Sequence, residues 1–157
     1  MLEVWIDGAC EPINPGGTAS YGLIIKRQIV ADKFSEIHGN KLRLLMVKHV
    51  VGNGSTMSNN VAEYSALLAF LGWYYANITN KEEATIYSDS KLVVNQMNGL
   101  WEAKQGLYIP YYETAFNMLC SLAPHNISFR WIPREENYEA DNLSKQALLA
   151  IGIKPRH

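Results

Sequence analysis

Cysteine is scarce in this chain: Cys10 and Cys120 are the only two among 157 residues, and they stand 110 positions apart. Two such distant thiols make neither a disulfide framework nor a CxxC metal pair, so both are expected to be packing residues in a reducing compartment. Long apolar runs are also missing. The stretch Ala66 to Tyr75 is broken within about ten residues, well short of the roughly 20 that a membrane span requires, so no membrane partner is expected. A secretory signal would need a basic start and a longer apolar run, whereas Glu3 and Asp7 interrupt the first seven residues. The expected location is cytoplasmic. Neither sign of charge dominates: 14 Lys plus Arg against 15 Asp plus Glu leave a net −1, which offers no bulk attraction for nucleic acid. Repeats, low-complexity tracts and Pro/Ser-rich linkers are absent too. One domain over residues 1–157, acting as a monomer, is the expectation.

What is there is ordinary globular material, 48% apolar and 18% charged. Leu2 to Asp7 alternates apolar side chains at 2, 4 and 6 and reads as a strand closed by Asp7; Glu11 to Gly17 is dense in turn residues. Tyr21 to Lys26 and Leu42 to Val51 are further strands, and Gln28 to Asn40 between them is ambiguous. Val61 to Ala76 switches to helical spacing, with Asn59 or Asn60 available as the cap. Ala84 to Ser88 reads as a short buried strand, Lys91 to Met97 as a helix ended by Asn98-Gly99, and Tyr111 to Leu122 as another helix. Ile127 to Ile132 is a strand stopped by Pro133, and Glu139 to Ala150 a helix stopped by Gly152. This order predicts an α/β fold, a central mixed five-stranded sheet flanked by helices.

Four carboxylates occupy positions where carboxylates are expensive. Asp7 and Asp89 both follow strand residues, at the strand ends where ligands of open α/β sheets collect. Each also makes a good turn pair, Asp7-Gly8 and Asp89-Ser90, so an Asx turn or helix cap is the local alternative. Glu63 heads an apolar stripe of Leu67, Phe70 and Tyr74, yet Asn60-x-x-Glu63 has the spacing of a capping box. Asp141 sits in a first helical turn, where the helix dipole alone favours an acid. Taken together, four acids facing one cleft would repel each other and raise their own pKa values unless a cation neutralised them. All-oxygen ligands suit a hard ion, Mg²⁺ or Mn²⁺, and no Cys/His cluster offers zinc spacing. Without these four acids the remainder carries +3, a weakly basic shell around an acidic pocket and one suited to polyphosphate.

The segments Asp7-Gly-Ala, Asn14-Pro-Gly-Gly, Tyr21-Gly22, Ser58-Asn-Asn-Val-Ala-Glu63-Tyr, Tyr87-Ser-Asp89-Ser-Lys-Leu-Val-Val-Asn and Arg134-x-x-Asn137-x-x-Ala-Asp141-x-Leu-Ser carry a family signature. In this order and spacing the chain resembles type 1 ribonuclease H across nearly its whole length. The resemblance implies the ribonuclease H-like fold and an endonuclease that hydrolyses the RNA strand of RNA–DNA hybrids, leaving 5′-phosphate and 3′-hydroxyl ends. It implies two Mg²⁺ ions, with Mn²⁺ an alternative. Asp7 would bridge both, Asp141 would complete the site that activates water, and Glu63 with Asp89 would hold the ion on the leaving-group side. It further implies hybrid contacts from Asn14, Ser58, Asn59, Asn60 and Asn137, discriminating through the 2′-hydroxyl rather than base sequence.

Trp101 and Lys104 could stack on a DNA sugar and pair with phosphate, with simple packing as the alternative. The chain departs from the family in three ways. Val61 stands where many members have arginine, the segment after Gly99 is not the Lys/Arg-rich protrusion some members carry, and Trp131 to Asp141 holds no histidine. The resemblance leaves Arg134, Glu135 or Glu136 to take that histidine's place, or the step to proceed without one, while His125 and His157 read as solvated. The competing readings are a DNA nuclease or resolvase on the same fold, since fold does not set substrate, and a non-catalytic hybrid-binding module.

Overall fold

The computed structural model describes residues 1–29, 41–122 and 126–156. Its elements are β1 (Leu2–Glu11), β2 (Thr18–Gln28), β3 (Lys41–Asn53), α1 (Asn59–Asn77), β4 (Ala84–Ser88), α2 (Lys91–Met97), α3 (Ile109–Leu122), β5 (Ile127–Trp131) and α4 (Tyr138–Leu149), with a 3-10 turn at Arg134–Asn137 before α4. The strands form one sheet in the order β3-β2-β1-β4-β5. β1 pairs antiparallel with β2 and parallel with β4, and β4 runs parallel to β5. The mixed five-stranded sheet expected from the sequence is what forms. Most of the ambiguous stretch Gln28 to Asn40, along with His125 and His157, lies outside the described residues.

Period-two alternation decides what each face of the sheet carries. Leu2, Val4 and Ile6 of β1 and Ile86 of β4 point toward α1 and meet Leu67, Phe70 and Leu71, all essentially without solvent exposure. Burying each such side chain stabilises by about 1.5–3 kcal/mol against leaving it in water, so this layer fixes where α1 lies. The opposite face is covered by α4, which packs mainly on β2 and β1.

Two glycines let both helices approach at one level of the sheet. A Cβ on Gly8 would stand 2.6 Å from the Glu63 backbone nitrogen and 2.8 Å from the Ala62 carbonyl carbon. A Cβ on Gly22, the cross-strand partner of Asp7, would collide with the Ala140 carbonyl oxygen. Hydrogen at both positions therefore brings the residues around Glu63 on α1 and Asp141 on α4 against the strand that carries Asp7.

Two local expectations are corrected. β1 does not close at Asp7 but continues to Glu11, because Gly8 to Glu11 find antiparallel partners in Tyr21 to Thr18. The cap of α1 is Ser58, not Asn59 or Asn60. Ser58 is extended (φ −152°, ψ 168°) and its Oγ accepts the Val61 N–H at 3.2 Å. Asn59 is already helical, and its N–H donates to Asn14 Oδ1 at 2.9 Å, tying the Pro-rich turn to the start of the helix.

Candidate active site

Asp7 comes from the middle of β1, Glu63 from the first turns of α1, and Asp89 from the residue after β4. Parallel pairing of β1 with β4 sets Asp7 and Asp89 side by side. Close packing at Gly8 brings in Glu63. One carboxylate oxygen from each of the three lies within 4.8 Å of the others. Asp141, in the first turn of α4, lines the same cleft, a space of about 350 Å³ that also exposes Asn59, Asn60, Ser90 and Arg134. Its carboxylate is held by Lys145 Nζ at 2.9 Å, one turn on in α4, and by Arg134 at 3.9 Å.

The local alternatives for these acids are not taken up. Glu63 does not close a capping box: it is only 5% exposed and its Oε2 has no hydrogen-bond partner among the described residues. Asp89 caps nothing, because Ser88 Oγ accepts the Ser90 N–H and Ser90 Oγ accepts the Val93 N–H, supplying the turn and the cap of α2. Its backbone carbonyl accepts from Trp131 Nε1 at 3.1 Å, which fixes the strand end while the carboxylate faces the cleft. Asp7 is extended strand rather than turn.

Such crowding has an electrostatic signature. Burial pushes the Asp7 carboxyl well above its ordinary value, and the charges of Glu63 and Asp89 push it further. Glu63 is raised well above its own by burial first and Asp89 second, with the Gly8 N–H pulling the other way. Asp89 is raised by burial, opposed by hydrogen bonds from Asp7 and Asn137. Two buried acids, a third beside them and an unpartnered buried carboxylate oxygen make a donor set that fits a hard divalent cation.

A reverse transcriptase-like family profile matches residues 32–147. The chain belongs to the reverse transcriptase-like family. Its fold superposes on LC11-RNase H1, solved in complex with an RNA/DNA hybrid, with a TM-score of 0.76 and 25% identity over 96% of this chain and 99% of that one. The N-terminal RNase H domain of Rv2228c from Mycobacterium tuberculosis superposes with a TM-score of 0.70 and 31% identity, covering 93% of this chain and 97% of that domain. Full-length Rv2228c, a bifunctional protein, is 36% identical over 101 residues, and that match spans 64% of this chain but only 26% of the relative.

In this reverse transcriptase-like chain the expected hybrid contacts separate into groups. Asn59 and Asn60 line the cleft, with Asn14 and Ser58 at its edge through the hydrogen bonds at the start of α1. Asn137 is 1% exposed; its Nδ2 donates to the Ile6 carbonyl at 2.9 Å, and its side chain also bonds Asp89, so it stands between β1 and α4 behind the acids rather than among the residues lining the cleft. Trp101 is 48% exposed but, like Lys104, is not part of the cleft lining, and Lys104 pairs with Glu102 at 3.2 Å. Val61 is fully buried, so packing requires an apolar residue there. Reading the sequence missed Glu11, Lys145 and Arg156, which also line the cleft. The i,i+4 spacing of Asp141 and Lys145 was a visible signal. Nothing local announces the pair Glu11–Arg156, which is 145 positions apart.

Proposed function

We propose that this chain is a ribonuclease H, an endonuclease that hydrolyses the RNA strand of RNA–DNA hybrids to 5′-phosphate and 3′-hydroxyl products. The observation that carries this reading is the approach of the Asp7, Glu63 and Asp89 carboxylates to within 4.8 Å of one another, with a Glu63 oxygen left unpartnered. Asp7, Glu63, Asp89 and Asp141 would hold two divalent cations, Mg²⁺ or Mn²⁺. When bound, these ions would supply the positive charge that offsets the carboxylate repulsion and stabilises the oxygens entering and leaving at a phosphodiester.

The chain's own groups do the rest. Asp7 and Glu63 are buried in the floor of the cleft and held by strand and helix, so they need little reorganisation when the charge beside them changes. Asp141 is kept in place by Lys145. Arg134, 58% exposed at the rim, offers a guanidinium where phosphate oxygens would lie. Asn59 and Asn60 present short amides to the same space, suited to sugar hydroxyls as donor or acceptor. Among the described residues no side chain is placed as a covalent nucleophile, and water would be the attacking group. That relatives of this fold bind RNA/DNA hybrid supports the choice of substrate.

The test incubates the protein with labelled RNA–DNA hybrid, double-stranded RNA and double-stranded DNA in Mg²⁺, Mn²⁺ or EDTA. Cleavage of the RNA strand of the hybrid, absent in EDTA and abolished by Asp7→Asn, is the expected result. Cleavage of DNA alone, or hybrid binding without cutting, would overturn the assignment.

A further inference from the structure

The cleft has a rim cation that none of its four acids accounts for. Lys145 and Arg134 both lean on Asp141, whereas Arg156, in the segment after α4, crosses to the far end of β1. There its Nε donates to Glu11 Oε2 at 2.6 Å and its second guanidinium nitrogen to the Cys10 carbonyl at 3.1 Å. Glu11 is buried, so this ion pair is anchored on its acidic side by the sheet itself. A guanidinium has five N–H donors in a rigid fork. These two bonds leave three with no partner among the described residues. The side chain remains 47% exposed, and both it and Pro155 line the same cleft as Asp7.

We propose that Arg156, oriented by Glu11 and the Cys10 carbonyl, is a substrate-binding residue that takes a backbone phosphate of the nucleic acid lying across the cleft. The inference rests on the ribonuclease H reading and adds to it a contact made by the segment after α4. Glu11 is four residues along β1 from Asp7, on the same strand face, which at about 3.3 Å per residue puts the pair roughly 13 Å from the acids. That span corresponds to about four steps of a duplex at 3.4 Å each. The contact is therefore a phosphate remote from the cleaved bond. Its energy would appear in binding rather than in the chemical step. Lysine would retain the charge at this position but lose the fork that lets one guanidinium hold Glu11, the carbonyl and a phosphate together.

The experiment measures hybrid affinity in the Asp7→Asn background in EDTA across a series of salt concentrations, and hydrolysis in the otherwise wild-type protein, for Arg156→Ala, Arg156→Lys and Glu11→Gln. Removing one phosphate contact should lower the slope of log affinity against log salt by about 1. Arg156→Ala is expected to show that drop and to raise KM five- to tenfold with kcat within twofold. Arg156→Lys should preserve the salt slope while weakening affinity. Glu11→Gln should retain the slope as well, since Arg156 keeps its charge. If Arg156 only pins the segment, Arg156→Ala and Glu11→Gln will lower the melting temperature alike and leave slope and KM unchanged; that result overturns the proposal. Failure of the ribonuclease H reading is distinguishable, because wild-type protein would then leave the RNA strand of the hybrid uncut whatever the Arg156 variants do to binding.

Discussion

Replacing Asp7 with asparagine should stabilise the metal-free protein while abolishing its hydrolysis. Two carboxylate charges 4.8 Å apart repel by about 3.5 kcal/mol at an effective dielectric constant of 20, and Asp7 has both Glu63 and Asp89 at that range. Keeping a proton in the cluster relieves part of this cost, at roughly 1.4 kcal/mol for each pKa unit by which a group is raised. Asparagine has the same shape, carries no charge, and can donate from its amide toward Glu63 and Asp89. A net gain of about 1–3 kcal/mol follows, or about 3–10 °C in melting temperature for a chain of this size.

The sign with pH is definite. Asp7 and Glu63 have folded-state values raised above the unfolded ones, so their contribution to stability is fully present below the unfolded carboxylate range, near pH 4. It is lost as pH rises through the folded values. Urea denaturation in EDTA at pH 4.5, 6 and 8 should therefore show the advantage of Asp7→Asn growing with pH. Adding Mg²⁺ should stabilise the wild type and not the variant. A variant less stable than wild type at pH 8, or an advantage independent of pH, would refute the argument that the cluster stores charge repulsion.

Three further outcomes are expected. Gly8→Ala places a methyl against the Glu63 backbone and must push α1 off β1; a misplacement of about 1 Å is enough to lower hybrid hydrolysis by about a hundredfold, checked by kcat/KM alongside circular dichroism to show a retained fold. Gln96 accepts from Tyr64 Oη at 2.6 Å and donates to Tyr108 Oη at 2.9 Å in a buried network joining α1, α2 and the segment before α3. Gln96→Leu strands both hydroxyls, and equilibrium unfolding should report a loss of about 1–3 kcal/mol; a loss below about 0.5 kcal/mol would show that they find water instead. Lys145→Met frees Asp141 of its 2.9 Å partner, so calorimetric titration with Mg²⁺ should show affinity rising about three- to tenfold, and unchanged affinity would mean that the lysine does not compete for that carboxylate.

Apolar periodicity carried the element list because packing enforces it. β4 spans the same Ala84–Ser88 that reads as a short buried strand, and α2 ends at Met97 with Asn98 as its cap before Gly99, whose φ of +74° suits glycine. Asp7 read as a strand end because nothing near it reveals that Gly8 to Glu11 pair with β2, a partner distant in sequence. The cap was a local miss, because Ser58, itself a favoured cap residue, bonds the Val61 N–H only three residues on. Glu63 was undecidable locally, its capping-box spacing and its apolar stripe pointing to different uses.

The sequence by itself determined the layer order, the four acids and the family signature that joins them, since these depend on residue type and spacing along the chain. Tertiary structure alone decided which carboxylate oxygens meet and that Arg156 is fastened to Glu11 at the cleft's rim. Such distances depend on how closely α1 and α4 approach the sheet at Gly8 and Gly22 and on where the segment after α4 returns, and no local propensity encodes a contact that closes more than a hundred residues of chain.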